Sequence, residues 1–169
     1  MSTEVMTREA SGQEIDEMDH NVRAVMDGGH GTTQLVTVKV GPQLFGIPVL
    51  DIEDIIGPQN VTFIPRLSPV IQGALNLRGR IVTAIDMRRR LGLPASESEK
   101  NRMNVVVERN GDLYSLVVDE VGEVLTLEDH AREAHPPTMR SSVRDVSTGI
   151  HRLDGHLMVV LDVGKILEF

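Results

Sequence analysis

The sequence predicts a mainly β protein assembled from one structural unit that is used twice. The segment that starts at Gly73 (GALNLRGRIVTAIDM) recurs in the same frame at Gly149 (GIHRLDGHLMVVLDV), an offset of 76 residues. In both copies a glycine, an apolar run, an X-Gly pair, a second apolar run and an aspartate follow at identical spacing. This order is typical of a β-hairpin that leads into a short helix capped by the aspartate.

An upstream segment recurs as well, at a different offset. Residues 38–56 align without gaps with residues 107–125, an offset of 69. We therefore interpret the chain as a first repeat over about 34–93 and a second repeat over about 103–169, joined by a polar stretch at 94–102. Two repeats predict two similar lobes, and two units are too few for a stacked solenoid.

Apolar runs and turn residues predict the individual elements. Strands are expected at 34–40, 43–47, 61–64, 71–77 and 80–85, and again at 103–108, 113–119, 121–125, 150–153 and 156–161. Pro48 before the segment 49–56, with Gly57 after it, predicts one or two helical turns. Short helices are expected at 87–91 and 163–167, and residues 126–148 are expected to form a long polar connection.

The first 33 residues differ in composition from the rest. They hold seven acidic and two basic residues, a net charge of −5, which leaves −3 of the total of −8 for the remainder. Ile15, Met18, Val22 and Val25 share one helical face, so we expect an acidic N-terminal extension with a helix over 12–27. A frayed tail with partial helicity is the alternative.

Composition excludes several classes of function. The net charge of −8 disfavours binding to nucleic acid. The chain has no cysteine, which rules out disulfides and cysteine-based metal sites. No apolar run approaches the roughly 20 residues of a membrane span, and the N-terminus lacks the pattern of a signal peptide. We therefore expect a cytoplasmic protein without direct membrane insertion.

No catalytic motif or cofactor fingerprint occurs, so we expect a protein that is not an enzyme and that has no cofactor or metal. One alternative is a metal-binding regulator that uses His151, His156 and Asp154, because the two histidines could be neighbours across the Asp154-Gly155 turn. The run Arg88-Arg89-Arg90 is expected to be a solvated face or a contact with an anionic protein.

The turn pair Arg78-Gly79 stands where the second repeat has Asp154-Gly155. An arginine held at positive φ costs about 1 kcal/mol, so turn geometry explains it poorly. One interpretation is a turn of another type in which arginine is unstrained. The other is that Arg78 is displayed at a hairpin tip to reach a carboxylate or carbonyl groups of another protein.

Three segments together resemble the CheW family of bacterial chemotaxis coupling proteins. They are FGIP at 45–48, GALNLRGRIVTAIDMR at 73–88 and VVDEVGEVL at 117–125. The resemblance covers about 34–169. It implies two five-stranded barrel-like lobes around a shared apolar seam, and an adaptor that joins the cytoplasmic tips of transmembrane chemoreceptors to the histidine kinase CheA. A coupling module of a non-chemotaxis kinase pathway is an alternative role for the same fold.

The resemblance also implies a binding site. The receptor tip would dock in a groove between the lobes, on Ile52 and Asp54 of one segment and on Arg78 and Ile81 of another. The regulatory domain of CheA would pack against lobe ends, and the adaptor would be recruited to membrane-associated receptor arrays. The pair Thr83-Ala84 departs from the Pro-Val or Pro-Ile that the family usually carries there.

Overall fold

The computed structural model describes residues 31–65, 67–95 and 101–169, so the helix predicted over 12–27 lies outside the described residues. The first five strands are β1 (Thr32–Val40), β2 (Gln43–Pro48), β3 (Ile52–Ile56), β4 (Ile71–Leu77) and β5 (Arg80–Asp86). The next five are β6 (Met103–Arg109), β7 (Asp112–Val118), β8 (Glu120–Glu128), β9 (Ser147–Leu153) and β10 (His156–Leu161). Three short helices accompany them: α1 (Met87–Arg90), α2 (Ser141–Arg144) and α3 (Val163–Ile166).

The strands form two five-stranded sheets. Lobe 1 has the order β8-β1-β2-β10-β9 and lobe 2 has the order β3-β6-β7-β5-β4. The predicted mainly β fold with two five-stranded lobes is therefore confirmed.

Each lobe is built from both halves of the chain. Lobe 1 combines β1 and β2 with β8, β9 and β10, whereas lobe 2 combines β6 and β7 with β3, β4 and β5. The joins between halves include two parallel pairs, β2 with β10 and β5 with β7. Neither half therefore completes a sheet alone, and the two lobes are interlocked through the backbone.

The repeated glycines allow each sheet to curl towards closure. The segment after β3 forms a single bridge to β4, from Thr62 to Ala74, and the segment after β8 forms the matching bridge from Glu133 to Ile150. A Cβ atom on Gly73 would lie 2.0 Å from the carbonyl oxygen of Thr62, and one on Gly149 would lie 2.6 Å from that of Glu133. Only glycine permits this close approach of the backbone.

Apolar side chains, most of them aliphatic, fill three clusters. The largest lies between the lobes and takes residues from both sheets, among them Val38, Phe45, Ile85, Val105 and Leu116. A smaller cluster lies inside lobe 2, and another lies inside lobe 1. Alternate residues of one strand therefore face the shared seam and the interior of a lobe, which is the period-two pattern that a sheet requires.

The segment after β2 differs from the expectation of one or two helical turns over 49–56. A single 3₁₀ turn spans Val49–Asp51, and Ile52–Ile56 is strand β3, paired antiparallel with β6. Ile52, Asp54 and Ile56 are half-buried while Glu53 and Ile55 are exposed. A spacing of four residues fits a helical face and a strand face equally, and long-range pairing with β6 decides the outcome.

Two further expectations were wrong. The strand expected at 61–64 is a loop with the one bridge from Thr62, since prolines at 58 and 65 limit pairing. The polar connection expected over 126–148 begins later, because β8 continues to Glu128. It then contains a 3₁₀ turn at Asp129–Ala131 and helix α2.

The arginines of α1 hold the structure together rather than forming a solvated face. Arg88 binds Asp119 at 2.7 Å, and Arg90 donates to the carbonyl oxygens of Lys165 and Ile166 at 2.9 and 2.8 Å. Those carbonyls lie in the last turn of α3, where a cation offsets the negative end of the helix. Arg90 therefore ties the end of one repeat to the end of the other.

Candidate functional site

The turn between β4 and β5 holds Arg78 in a strained backbone conformation. Arg78 has φ of 50° and Gly79 has φ of 82°, so both central residues are left-handed, as in a type I′ turn. The side chain of Asn76 accepts a hydrogen bond from the N–H of Gly79 at 3.0 Å and supports the turn. The interpretation in which Arg78 is unstrained is therefore wrong.

The two hairpins differ at this point. In the turn between β9 and β10 only Gly155 has a positive φ, and Asp154 does not. The β9–β10 turn carries an aspartate, which tolerates a positive φ, but does not hold it there. The β4–β5 turn does hold its first central residue at positive φ, and that residue is an arginine. Strain of about 1 kcal/mol is thus concentrated at Arg78.

Arg78 contacts Asp54 across the open side of lobe 2. Nη2 of Arg78 lies 3.3 Å from Oδ2 of Asp54, and the side chain of Arg78 remains 80% exposed. The other oxygen of Asp54 accepts a hydrogen bond from the N–H of Ile55 at 2.8 Å, which fixes the carboxylate. An exposed pair of this kind adds little to stability, so its effect is to orient the guanidinium.

The two isoleucines of the predicted site occupy different environments. Ile52 is half-buried and packs against the cluster shared between the lobes. Ile81 is 78% exposed on β5, three residues after Arg78. The structure thus brings Asp54 and Arg78 into contact, places Ile52 at the seam between the lobes and leaves Ile81 exposed.

An open groove borders Ile81 and was not anticipated from the sequence. It has a volume of about 500 Å³ and lies between the β4–β5 hairpin and the loop that bridges to it. Its lining includes Asn60, Thr62, Ile64, Asn76 and Ile81. In the same loop Phe63 is 71% exposed. The chain has only four aromatic residues, and a phenylalanine in a proline-flanked segment is the sequence signal that could have pointed to this loop.

The proposed histidine metal site is not formed. His151 pairs across the hairpin with Met158, and His156 pairs with Leu153, so the two histidines are not cross-strand neighbours. His151 is buried and His156 is exposed. In the part of the chain that the structure describes, no group of three histidine or carboxylate residues could hold a metal ion.

A network of charges lies at the opposite end of β7 from its hairpin turn. Burial acts to raise the pKa of Asp119, but hydrogen bonds from Arg88 and from the N–H of Gly41, with the charges of Arg88 and Arg102, lower it below its ordinary value of 3.8. Hydrogen bonding to Asp119 raises the pKa of Arg88 in turn. These groups stay ionised, and their role is structural.

The helices of the described residues are far too short to span a bilayer.

Comparison with known proteins gives the family. The family described as CheW-like domain matches residues 34–169. Over 135 residues the chain is 28% identical to the chemotaxis protein CheW of Klebsiella aerogenes, covering 80% of this chain and 81% of that protein. Over 137 residues it is 24% identical to the chemotaxis protein CheW of Rhizobium meliloti, covering 81% and 88%.

A solved structure agrees with this assignment. The crystal structure of the scaffolding protein TtCheW from Thermoanaerobacter tengcongensis superposes with a TM-score of 0.72 at 26% identity, covering 81% of this chain and 93% of that chain. The family match spans both lobes, and the chain therefore belongs to the family of CheW-like domain proteins.

Proposed function

We propose that this chain couples the cytoplasmic tips of chemoreceptors to the histidine kinase CheA, and that it docks the receptor on the surface formed by Ile52, Asp54, Arg78 and Ile81. The role of a non-enzymatic chemotaxis adaptor follows from the family. The docking residues and both partners are our proposal. The observation that carries it is the exposed arginine held at positive φ.

The strain at Arg78 supports a role in binding. The turn Asn110-Gly111 has the same left-handed pair, with φ of 54° and 84°, and uses the residue types that favour it. Arginine at the matching position costs stability without adding a contact that the fold requires. Strain of this kind persists where function selects the side chain.

The chemistry of the surface fits a helical protein partner. A guanidinium presents a planar fork of donors to a carboxylate or to the free carbonyl groups at the end of a helix. Ile81 supplies an apolar contact three residues from Arg78, and Ile52, two residues before Asp54, is half-buried against the seam between the lobes. An apolar centre with a charged edge is typical of a modest protein interface.

The kinase would bind elsewhere on the chain. By family resemblance the regulatory domain of CheA packs against lobe ends, away from the Arg78 turn. Separate surfaces would let one adaptor hold both partners at once. We expect the adaptor to be cytoplasmic and to be recruited to receptor arrays through this double attachment.

The test compares Arg78→Glu with a matched control, Arg152→Glu. Arg152 is also an exposed arginine of a hairpin and pairs with a carboxylate, Glu133, at 2.8 Å, but it lies in lobe 1. Binding to a receptor cytoplasmic fragment is measured by calorimetry, with circular dichroism as the check on folding. We expect Arg78→Glu to weaken receptor binding at least tenfold, a loss typical of an interface hot spot, and Arg152→Glu to leave it unchanged.

Binding to CheA serves as the second readout, and Arg78→Glu should retain it. Equal affinity of wild type and Arg78→Glu for the receptor fragment would contradict the proposed docking surface. Loss of both partners with a changed circular dichroism spectrum would show that Arg78 is needed for the fold instead.

A further inference from the structure

The two lobes are equivalent position by position, which allows their ends to be compared directly. In lobe 1 Val159 of β10 pairs with Phe45 of β2, and in lobe 2 Thr83 of β5 pairs with Tyr114 of β7. These positions are related by the same offsets of 76 and 69 residues that relate the sequences. A residue of one lobe therefore has a defined counterpart in the other.

One end of lobe 2 is filled by a guanidinium from the chain itself. Arg102 is only 6% exposed, and its Nη2 lies 2.9 Å from Oδ1 of Asp86, the residue that caps α1. It also donates to the carbonyl oxygen of Val117 at 3.3 Å. The cation thus sits between a capping aspartate and a strand carbonyl, a geometry that suits the fork of arginine donors.

The same end of lobe 1 has two of these acceptors without the arginine; Leu50 stands where lobe 2 has Asp119, whose Oδ1 lies 3.7 Å from Nε of Arg102. Asp162, which caps α3, is the counterpart of Asp86, and Pro48 supplies the counterpart of the strand carbonyl. The counterpart of Arg102 is Thr33, whose short side chain leaves a cavity of about 300 Å³. We call this cavity the lobe 1 pocket; its lining includes Thr33, Pro48, Asp51, Asp129, His151 and Asp162.

The carboxylates of the lobe 1 pocket lack a neutralising partner. Among the described residues none of Asp51, Asp129 and Asp162 forms an ion pair. Burial and the negative charge of Asp162 raise the pKa of Asp51 above its ordinary value of 3.8, as expected for carboxylates that face each other uncompensated. Arg132 also lines the pocket, so the balance of three acids against one base stays negative.

His151 gives an independent indication that the pocket takes a hydrogen-bond donor. Its side chain is 5% exposed, lines the pocket and has no hydrogen-bond partner among the described residues. Its counterpart in lobe 2 is Leu75, which packs in the apolar interior. Burial and the charge of Arg132 lower the pKa of His151 below 6.5, so near neutral pH the ring is uncharged and can accept from an N–H group.

We propose that the lobe 1 pocket binds a guanidinium group, supplied by an arginine side chain of a partner protein or by a small guanidino compound. The proposal does not depend on the receptor-docking surface, which lies in lobe 2. Lobe 2 provides the template, because the capping aspartate and the strand carbonyl that hold Arg102 recur in lobe 1. The neutral histidine and the additional aspartates supply acceptors for the remaining donors.

The experiment is a titration of the ¹⁵N-labelled full chain, followed by amide and histidine ring resonances. The probes are N-acetyl-arginine amide, its uncharged citrulline counterpart and N-acetyl-lysine amide. We expect saturable shifts at Thr33, His151 and Asp162 with the arginine derivative, at least tenfold weaker binding of the lysine derivative and no saturable response to citrulline. Equal responses to arginine and citrulline derivatives would overturn the proposal.

Two variants make the test specific to the pocket. Thr33→Arg copies the arrangement of lobe 2, so it should fill the pocket, abolish probe binding and keep or raise the melting temperature. Asp162→Asn keeps a residue that can cap α3, and it should weaken the probe about tenfold because one charged acceptor is lost. Unchanged affinity in Asp162→Asn would overturn the proposal even if Thr33→Arg failed to fold.

Two further probes, agmatine and a pentapeptide with a central arginine, distinguish a small guanidino compound from an arginine of a partner protein. Tighter binding of the peptide would support a partner protein, and tighter binding of agmatine would support a small guanidino compound. Failure of both to produce saturable shifts at the pocket would contradict the assignment.

Discussion

Arg78 and Asp54 join the two edges of one sheet. Nη2 of Arg78 lies 3.3 Å from Oδ2 of Asp54, although β3 and β4 stand at opposite ends of the strand order of lobe 2. The contact shows that the sheet curls far enough for side chains at its two edges to reach each other. It also holds the exposed guanidinium at a fixed place on the surface, which is what a docking residue requires.

The strain at Arg78 predicts an inverted preference between glycine and alanine. Arg78→Gly and Arg78→Ala both remove the contact with Asp54, but only glycine accepts a φ of 50° freely. We expect the Arg78→Gly variant to be more stable than the Arg78→Ala variant by about 1 kcal/mol in the free energy of unfolding, measured with urea. The same two substitutions at Arg80, in strand β5, should show the ordinary preference for alanine, and an identical ranking at both sites would contradict the strain.

The buried pair of Arg102 and Asp86 predicts a large loss when one partner is removed. Arg102→Met leaves the buried carboxylate of Asp86 with only the longer contact to the exposed Arg89, at 3.5 Å, and we expect the free energy of unfolding to fall by about 3 kcal/mol. Adding Asp86→Asn should recover part of that loss. Lys39→Met, which removes an exposed pair at 3.9 Å from Glu120, should change stability by less than about 0.5 kcal/mol. Similar losses at the two sites would argue against the burial of Arg102.

The bridges that close the two lobes predict intolerance of side chains at the repeated glycines. Gly73→Ala and Gly149→Ala would each drive a Cβ into a carbonyl oxygen, and we expect losses of about 2 kcal/mol or more. Gly73→Ala should lose more stability than Gly149→Ala, because the added Cβ would lie 2.0 Å from the carbonyl oxygen rather than 2.6 Å. At Gly57 a Cβ would meet nothing within 4 Å, so Gly57→Ala serves as the tolerated control in the same thermal melts.

The buried His151 predicts a loss of stability in mild acid. Burial and Arg132 lower its folded-state pKa below 6.5, so the unfolded state binds the proton more readily. The contribution of His151 to the free energy of unfolding is fully present above pH 6.5. It decreases as the pH falls below 6.5 and stops decreasing once the pH is below the folded-state pKa. Asp119, whose folded pKa is also lowered, contributes stability that is lost only as the pH falls below 3.8.

Urea unfolding at pH 7.5 and pH 5 measures this effect. We expect the difference between the two pH values to shrink in His151→Gln and to persist in His156→Gln, because His156 is exposed. An undiminished difference in His151→Gln would assign the acid sensitivity to other groups.

Local signals predicted the hairpins well. The bounds expected for 71–77 and 156–161 match β4 and β10, because the first run ends at the Arg78-Gly79 turn and the second begins after the Asp154-Gly155 turn. The capping aspartates were also recognised, and Asp86 and Asp162 both accept a hydrogen bond from the first turn of a helix. Such features depend on residues that are close in sequence.

Features that depend on distant pairing were not predictable in the same way. Strand β3 exists because it pairs with β6, about 50 residues later, and its apolar spacing fits a helix equally. The burial of His151 and its separation from His156 follow from the register of β9 and β10. The lobe 1 pocket emerges only when Thr33 is compared with Arg102 across the two lobes.

The most direct test of the receptor-docking surface is to map it on the chain itself. The ¹⁵N-labelled chain is titrated with a receptor cytoplasmic fragment, and amide shifts are followed by residue. Shifts concentrated at Asp54, Gly79 and Ile81, with the lobe 1 hairpin around Gly155 unmoved, are the predicted result. Saturable shifts confined to other surfaces, with Gly79 and Ile81 unchanged, would contradict the account.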